Sequence, residues 1–243
     1  MSRKQHNVGV ILAAGKGSRM GDSSTLPKQY RQLGGQEVIR YSLDRFSTCP
    51  GIDEICIVTD KDWIHDVTAK YATALYPKVR TVIPGGADRF TSCHQAIQAY
   101  QHLPHEDTNL IFHDAARPLL SAELLQSVID ALAAAEAVTP AIPCTDTILR
   151  VDTSTGHVLG APVRSELACA QTPQGFRLGL LIRAYKEYIS NTNTHDATDT
   201  CGVIINSISN IKIYYVPGQS SNIKLTHPID FTIAESILAR GEA

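Results

Sequence analysis

Short apolar runs rich in branched side chains alternate with stretches of helical periodicity along most of this 243-residue chain. Residues 8–12 (VGVIL), 55–58 (ICIV) and 110–112 are continuous apolar runs, as expected of strands covered on both faces, and 79–83 (VRTVI) reads as a further strand. Residues 38–46 (VIRYSLDRF) bring Val38, Ile39, Leu43 and Phe46 to one side of a helix. Residues 63–75, 91–100 and 122–135 read as further helices, and 137–142 as a sixth apolar element. Strands recur about every 25–30 residues, which predicts βαβ units and a mostly parallel sheet with helices on both faces.

Residues 145–170 break this rhythm. Two short extended segments, TILRV and HVLGAPV, flank a turn at 153–156, which predicts a β-hairpin arm projecting from the sheet. An arm with so little apolar content is not stable alone, and packing against a second copy of the chain would stabilise it. A homodimer formed through 145–170 is therefore expected. The α/β pattern resumes at 178–188 and 211–216 and closes with a helix at 231–240. Without an internal repeat or a Pro/Gly/Ser linker, residues 1–243 read as one domain.

Charge narrows the partners. Lys and Arg total 22 against 24 Asp and Glu, a net charge of −2, so any bound anion must be held by a local cluster. No basic stripe or aromatic platform points to nucleic acid. The apolar run 8–14 is too short for a signal-peptide core, and no stretch approaches the roughly 20 apolar residues that span a bilayer. The six cysteines form no C-x-x-C pair, as expected of reduced thiols rather than a zinc site. A cytoplasmic protein without membrane or nucleic-acid partners is expected.

The strongest chemical signal follows the first strand, in Leu12-Ala13-Ala14-Gly15-Lys16-Gly17-Ser18-Arg19-Met20-Gly21. Glycines after a parallel strand let backbone N–H groups approach a phosphate chain closely. The spacing G-x-G-x-x-x-G is neither the dinucleotide fingerprint nor a Walker A loop. Arg19 within it, and Lys28 in Leu26-Pro27-Lys28-Gln29, add the cations that a triphosphate with a departing pyrophosphate requires. Asp114, in His113-Asp114-Ala115-Ala116-Arg117-Pro118, stands where a strand ends. That is the ligand-binding edge of open α/β sheets, and Asp114 is the candidate Mg²⁺ ligand. His113 reads as a packed histidine.

LAAGKGSRMG, LPKQY, GGADR, HDAARP, QTPQGF and NIKLTHP, in this order across about residues 8–240, resemble the 2-C-methyl-D-erythritol 4-phosphate cytidylyltransferase family. The resemblance implies a Rossmann-like nucleotidyltransferase fold, CTP as co-substrate and a divalent metal. It also implies a reaction in which a polyol phosphate attacks the α-phosphorus and pyrophosphate leaves. Under it, Arg19, Lys28 and Lys224 are catalytic cations, and Ala13, Ala14, Gly15, Gly17, Gly86 and Ser92 hold the nucleotide. Asp114, Arg117, Thr147, Arg164 and Thr172 handle the acceptor, with Arg164 reaching from the arm into the neighbouring subunit. Ala87 stands where many relatives carry an acidic residue, and Arg89 is open to pairing with Asp88 or another carboxylate.

Two acceptors compete. LAAG and HDAARP favour methylerythritol phosphate, since ribitol 5-phosphate cytidylyltransferases more often read LAGG and HDAVRP. Asp62-Trp63-Ile64, GGADR, 162–167 (PVRSEL) and 198–201 (TDTC) resemble the ribitol enzymes instead. Thr200 occupies a position where methylerythritol enzymes usually carry a second acidic residue. A non-catalytic nucleotide-binding regulator is a third reading, disfavoured by the presence of Arg19, Lys28 and Lys224.

Overall fold

The computed structural model describes residues 5–15, 26–191 and 197–241. Its centre is a sheet in which β1 (His6–Ala13) lies between β4 (Glu54–Thr59) and β6 (Thr108–Asp114), with β5 (Val79–Pro84) outside β4. These four strands are parallel. Beyond β6 the sheet is mixed: β11 (Gln174–Arg177) runs antiparallel to both β6 and β7 (Ala137–Pro143). One edge of β7 is shared in succession by β10 (Ala168–Ala170) and β11, while β12 (Tyr214–Pro217) runs parallel along its other edge.

Strand alternation sorts the core into two layers. Ile11, Ala13, Ile55, Ile57 and Ile111 point to one face. They pack there with side chains of α1 (Val38–Thr48), α2 (Ile64–Tyr71) and α4 (Ala122–Leu132). Val8, Val10, Cys56, Val58, Leu110 and Phe112 point to the other. That face is covered by α3 (Arg89–Tyr100), α5 (Leu178–Ser190) and α6 (Thr200–Ser207). A smaller apolar cluster of Leu33, Val38, Leu119, Leu225 and Ala234 seats α7 (Pro228–Ala239). Among the described residues, no helix is long and apolar enough to cross a membrane.

The expected elements recur with several corrections. The 63–75 helix is a 3-10 turn (Lys61–Trp63) followed by α2, which stops at Tyr71. There Ala72 leaves helical geometry, and Tyr76 N–H on Thr73 O (3.0 Å) closes a turn that buries Tyr76. The last helix starts at Pro228 rather than 231, because Asp230 accepts the backbone N–H of Thr226 and of His227 (2.6 and 2.7 Å). The strand expected at 211–216 covers only Tyr214–Pro217. Three elements have no counterpart in the sequence reading: α6, β11, and the hairpin of β2 (Gln32–Leu33) and β3 (Gln36–Glu37). That hairpin turns on Gly34 and Gly35, both at positive φ (55° and 90°).

The arm is present as β8 (Arg150–Asp152) paired with β9 (His157–Gly160). Asp152 Oδ1 accepts from Ser154 N and Ser154 Oγ (2.9 and 2.6 Å), and Gly156 supplies the positive φ of 74°. Its last segment, β10, belongs to the main sheet rather than to the hairpin.

Gly9 is where the central strand meets α1 at closest approach: a methyl group there would lie 2.3 Å from Phe46 Cδ1. Gly9→Ala should therefore destabilise the fold by roughly 1–3 kcal/mol through overpacking. Urea unfolding would measure this, and an unchanged midpoint would contradict the packing described.

Candidate active site

The chain runs from β1 through α1 and α2 to β4 and β5, and α3 then carries it back to β6 on the opposite side of β1. The carboxyl ends of β1 and β6 therefore part at a topological switch point, where open α/β sheets bind ligands. A cavity of about 460 Å³ opens there. Leu12–Gly15, Asp114–Ala116, Gly86, Asp88, Arg89 and Ser92 line it. Lys28 and Lys224 line it as well.

Each lysine is placed by a different device. Lys28 opens a one-turn 3-10 helix (Lys28–Tyr30), and its Nζ donates to Leu225 O (2.7 Å). The next residue, Gln29, is buried and donates through Nε2 to Ala13 O and to Gly15 O (3.3 Å), so it holds the chain leaving β1. Tyr30 anchors the turn by stacking on Trp63 (5.0 Å between centroids) and bonding Thr59 Oγ1 (2.6 Å). Lys224 lies on the segment before α7, which Leu225 fixes by full burial and by its N–H on Ala116 O (2.8 Å).

Asp114 is the electrostatic centre. Lys224 Nζ donates to its Oδ2 (2.6 Å) and Arg89 Nε to its Oδ1 (3.3 Å). Burial alone would raise the pKa of this carboxyl, but Arg89 and Lys224 hold it well below the ordinary carboxylate range. Arg89 is itself braced from behind, by NH1 on Thr200 Oγ1 (3.3 Å) and NH2 on Gln174 Oε1 (3.2 Å). Gln174 Nε2 in turn donates to Asp199 Oδ2 (2.7 Å) and Thr139 Oγ1 (3.1 Å).

Of the residues expected in the site, Ala13, Ala14, Gly15, Lys28, Gly86, Ser92, Asp114 and Lys224 line this one cavity. Gly17 and Arg19 lie outside the described residues. Ser92 lines the cavity with its hydroxyl already engaged, accepting from Gly86 N (3.1 Å) and donating to Asp88 O (2.8 Å). Asp88 caps α3 by accepting from Thr91 N (2.7 Å), so the carboxylate partner of Arg89 is Asp114.

Two residues assigned to the acceptor make bonds within the protein. Thr172 is buried: its Oγ1 accepts from Asp114 N (3.1 Å) and donates to His113 Nδ1 (3.1 Å). Arg117 donates to the backbone carbonyls of Asn222 (2.7 Å) and Ala170 (3.4 Å), which ties the end of β6 to the Lys224 segment and to β10. Thr147 and Arg164 are exposed on the arm and do not line the cavity of their own chain; Arg164 NH1 donates to Thr145 O (3.3 Å). Gln29, Gln174 and Thr200 carry no assigned role in the sequence reading. A glutamine directly after Lys28, and another opening the otherwise apolar Gln174-Gly175-Phe176, were the available signals.

The segment leaving β1, two lysines and a carboxylate gripped by cations suit a polyanion whose charge shifts during reaction, which marks an α/β enzyme of the nucleotidyltransferase class. The family model described as IspD, 2-C-methyl-D-erythritol 4-phosphate cytidylyltransferase, matches residues 8–240, and the chain belongs to that family. It is 38% identical to a 2-C-methyl-D-erythritol 4-phosphate cytidylyltransferase of Thermobifida fusca, over 99% of this chain and 96% of that one. It is also 38% identical to the bifunctional ribulose 5-phosphate reductase/CDP-ribitol pyrophosphorylase Bcs1 of Haemophilus influenzae, over 96% of this chain and 48% of that longer protein. The crystal structure of 4-diphosphocytidyl-2C-methyl-D-erythritol synthase from Anaerococcus prevotii superposes with a TM-score of 0.78 at 28% identity, covering 97% of this chain and 99% of that one.

His113 yields a test of the site's interior. Burial pushes its pKa down to about 4, so the ring is neutral near pH 7; Nε2–H then donates to Arg117 O (3.1 Å) and Nδ1 accepts from Thr172 Oγ1 (3.1 Å). The unfolded chain, with a histidine near 6.5, binds a proton that the folded chain refuses between these values. Stability contributed by His113 is thus fully present above pH 6.5 and is lost as pH falls toward 4, by roughly 3 kcal/mol in total. Asp114 acts in a separate window, below its ordinary value of 3.8. In metal-free buffer, His113→Asn should flatten the dependence of unfolding free energy on pH between 7 and 4. An unaltered slope would show that another group sets it.

Proposed function

We propose that this chain transfers the cytidylyl group of CTP to 2-C-methyl-D-erythritol 4-phosphate, giving 4-diphosphocytidyl-2-C-methyl-D-erythritol and pyrophosphate. The observation that carries this reading is the meeting of Lys28 and Lys224 in one cavity at the switch point, next to Asp114. An acceptor phosphate oxygen forms a bond to the α-phosphorus, and the bond from that phosphorus to the α,β-bridging oxygen breaks. The nucleophile is already anionic, so no general base is needed. What the reaction needs is alignment of two anions and neutralisation of charge on the transferring group. Ala13, Ala14, Gly15 and Gly17 hold the phosphates by backbone, while Gly86 and Ser92 shape the nucleoside side. Lys28 and Arg19 counter the charge growing on pyrophosphate, and Lys224 approaches the α-phosphate.

A divalent metal suits the donor set. Asp88 serves as a helix cap, which leaves Asp114 as the carboxylate facing the phosphates. A carboxylate offers about four lone-pair positions, of which Arg89 and Lys224 use two. Mg²⁺ is commonly held by one or two carboxylates together with substrate phosphates. Asp114 would hold the ion, and Mg²⁺ would supply positive charge that offsets that of the phosphates. Residues 1–243 act as one domain in this reading, working in the cytoplasm.

The arm supports a homodimer. Ile148, Leu149, Val151, Val158, Leu159 and Val163 are 44–59% exposed on and around the hairpin, an apolar surface suited to a second copy. In the dimer Arg164 serves the partner's acceptor site by pairing with a phosphate, and Thr147 offers a hydroxyl to the polyol. Val158→Glu should shift the chain toward monomer in sedimentation and lower turnover with it. Arg164→Ala should lower turnover while leaving the dimer intact.

Ribitol 5-phosphate is the alternative acceptor, favoured by the 38% identity to the protein that includes a CDP-ribitol pyrophosphorylase. Pyrophosphate release from CTP and Mg²⁺ should appear with methylerythritol phosphate, and a preference for ribitol phosphate would reassign the acceptor. Lys28→Ala should lower kcat by about 100-fold or more while thermal unfolding changes little.

A further inference from the structure

Asp114 carries two cations of very different mobility. Arg89 is partly buried, its side chain 21% exposed, and is bonded to three acceptors, Asp114, Thr200 and Gln174. Lys224 has a side chain that is 36% exposed and, among the described residues, one acceptor, Asp114 Oδ2. Its backbone is held by the Leu225 contacts, so its flexible stem is free to swing while its anchor stays fixed.

We propose that Lys224 and a divalent cation compete for Asp114 Oδ2, so that a cation arriving there hands the Lys224 ammonium over to the phosphate chain. This rests on the metal reading of Asp114 given above. An ammonium and a divalent ion on one oxygen repel each other, and on Oδ1 either would meet the positive charge of Arg89. A nucleotide triphosphate resolves the conflict, because its oxygens accept both the displaced ammonium and the metal. Linkage then requires that nucleotide tighten metal binding and metal tighten nucleotide binding by the same factor. Lys224 is thereby delivered to the α-phosphate only when both ligands are in place.

Mn²⁺ alone, titrated without nucleotide and followed by the electron paramagnetic resonance of the free ion, tests this. Lys224→Met should bind Mn²⁺ about tenfold more tightly than the unaltered protein, a coupling of ordinary size. Lys28→Met removes the same charge from the same cavity without touching Asp114, and should change Mn²⁺ affinity by less than about threefold if direct competition, rather than the general field, is responsible. Equal effects of the two substitutions, or none from Lys224→Met, overturn the competition. Asp114→Asn should abolish Mn²⁺ binding. Its retention would remove Asp114 as the ligand and overturn the metal reading together with this proposal. Loss in Asp114→Asn with no gain in Lys224→Met would overturn the competition and leave the metal reading standing. A measurement on the unaltered protein needs no variant to fold: trace acetylation with acetic anhydride should label Lys224 faster when Mn²⁺ is added, relative to Lys28. An unchanged ratio would also overturn the proposal.

Discussion

A negative charge buried at the end of β6 is the constraint around which this molecule is arranged. An isolated carboxylate at that depth would take up a proton or destabilise the fold. Asp114 stays ionised because Arg89 reaches it from α3 and Lys224 from the segment before α7. Those two cations come from chain positions 135 residues apart, so the site exists only when the sheet and the C-terminal helix are both docked. Removing one partner from such a cluster generally costs more than the cluster contributes as a whole, because it leaves a charge without compensation.

The surrounding architecture serves this arrangement. Thr172 and His113 hold the backbone at Asp114, and Arg117 ties that strand end to the Lys224 segment. Gln29 and the Tyr30–Trp63 stack hold the opposite side, where β1 delivers its backbone to the cavity. Most of these groups are polar and buried, so they are bonded to one another rather than to substrate. Bonding of this kind fixes the polar groups around the cavity before any ligand arrives.

Much of the fold was legible because the apolar runs are continuous and strongly patterned. Residues 8–12, 55–58, 79–83 and 110–112 lie within the four parallel strands, and their alternating inward positions form the two core layers. The short antiparallel strands of the main sheet, β10 and β11, were not legible. Ala168–Ala170 and Gln174–Arg177 are three and four residues long, and pairing with β6 and β7, not local pattern, makes them strands. The site was legible where a residue's chemistry is unusual for its place, as with Lys28 beside a proline or Asp114 at the end of an apolar run. Thr172 and Arg117 carry bonds that the sequence did not indicate, to His113 and to neighbouring backbone, because their residue types fit a ligand and a backbone partner equally well.

By itself, then, the sequence determined the class of fold, the family and the rim of the sheet at which the candidate site opens, because periodicity and short motifs are local properties of the chain. Tertiary structure alone decided that Arg89 belongs to Asp114 rather than to Asp88, that Thr172 faces inward, and that Lys28 and Lys224 share one cavity. Each of these depends on distances between segments far apart in sequence. Such distances are set by how helices pack on the two faces of the sheet, which no local pattern encodes.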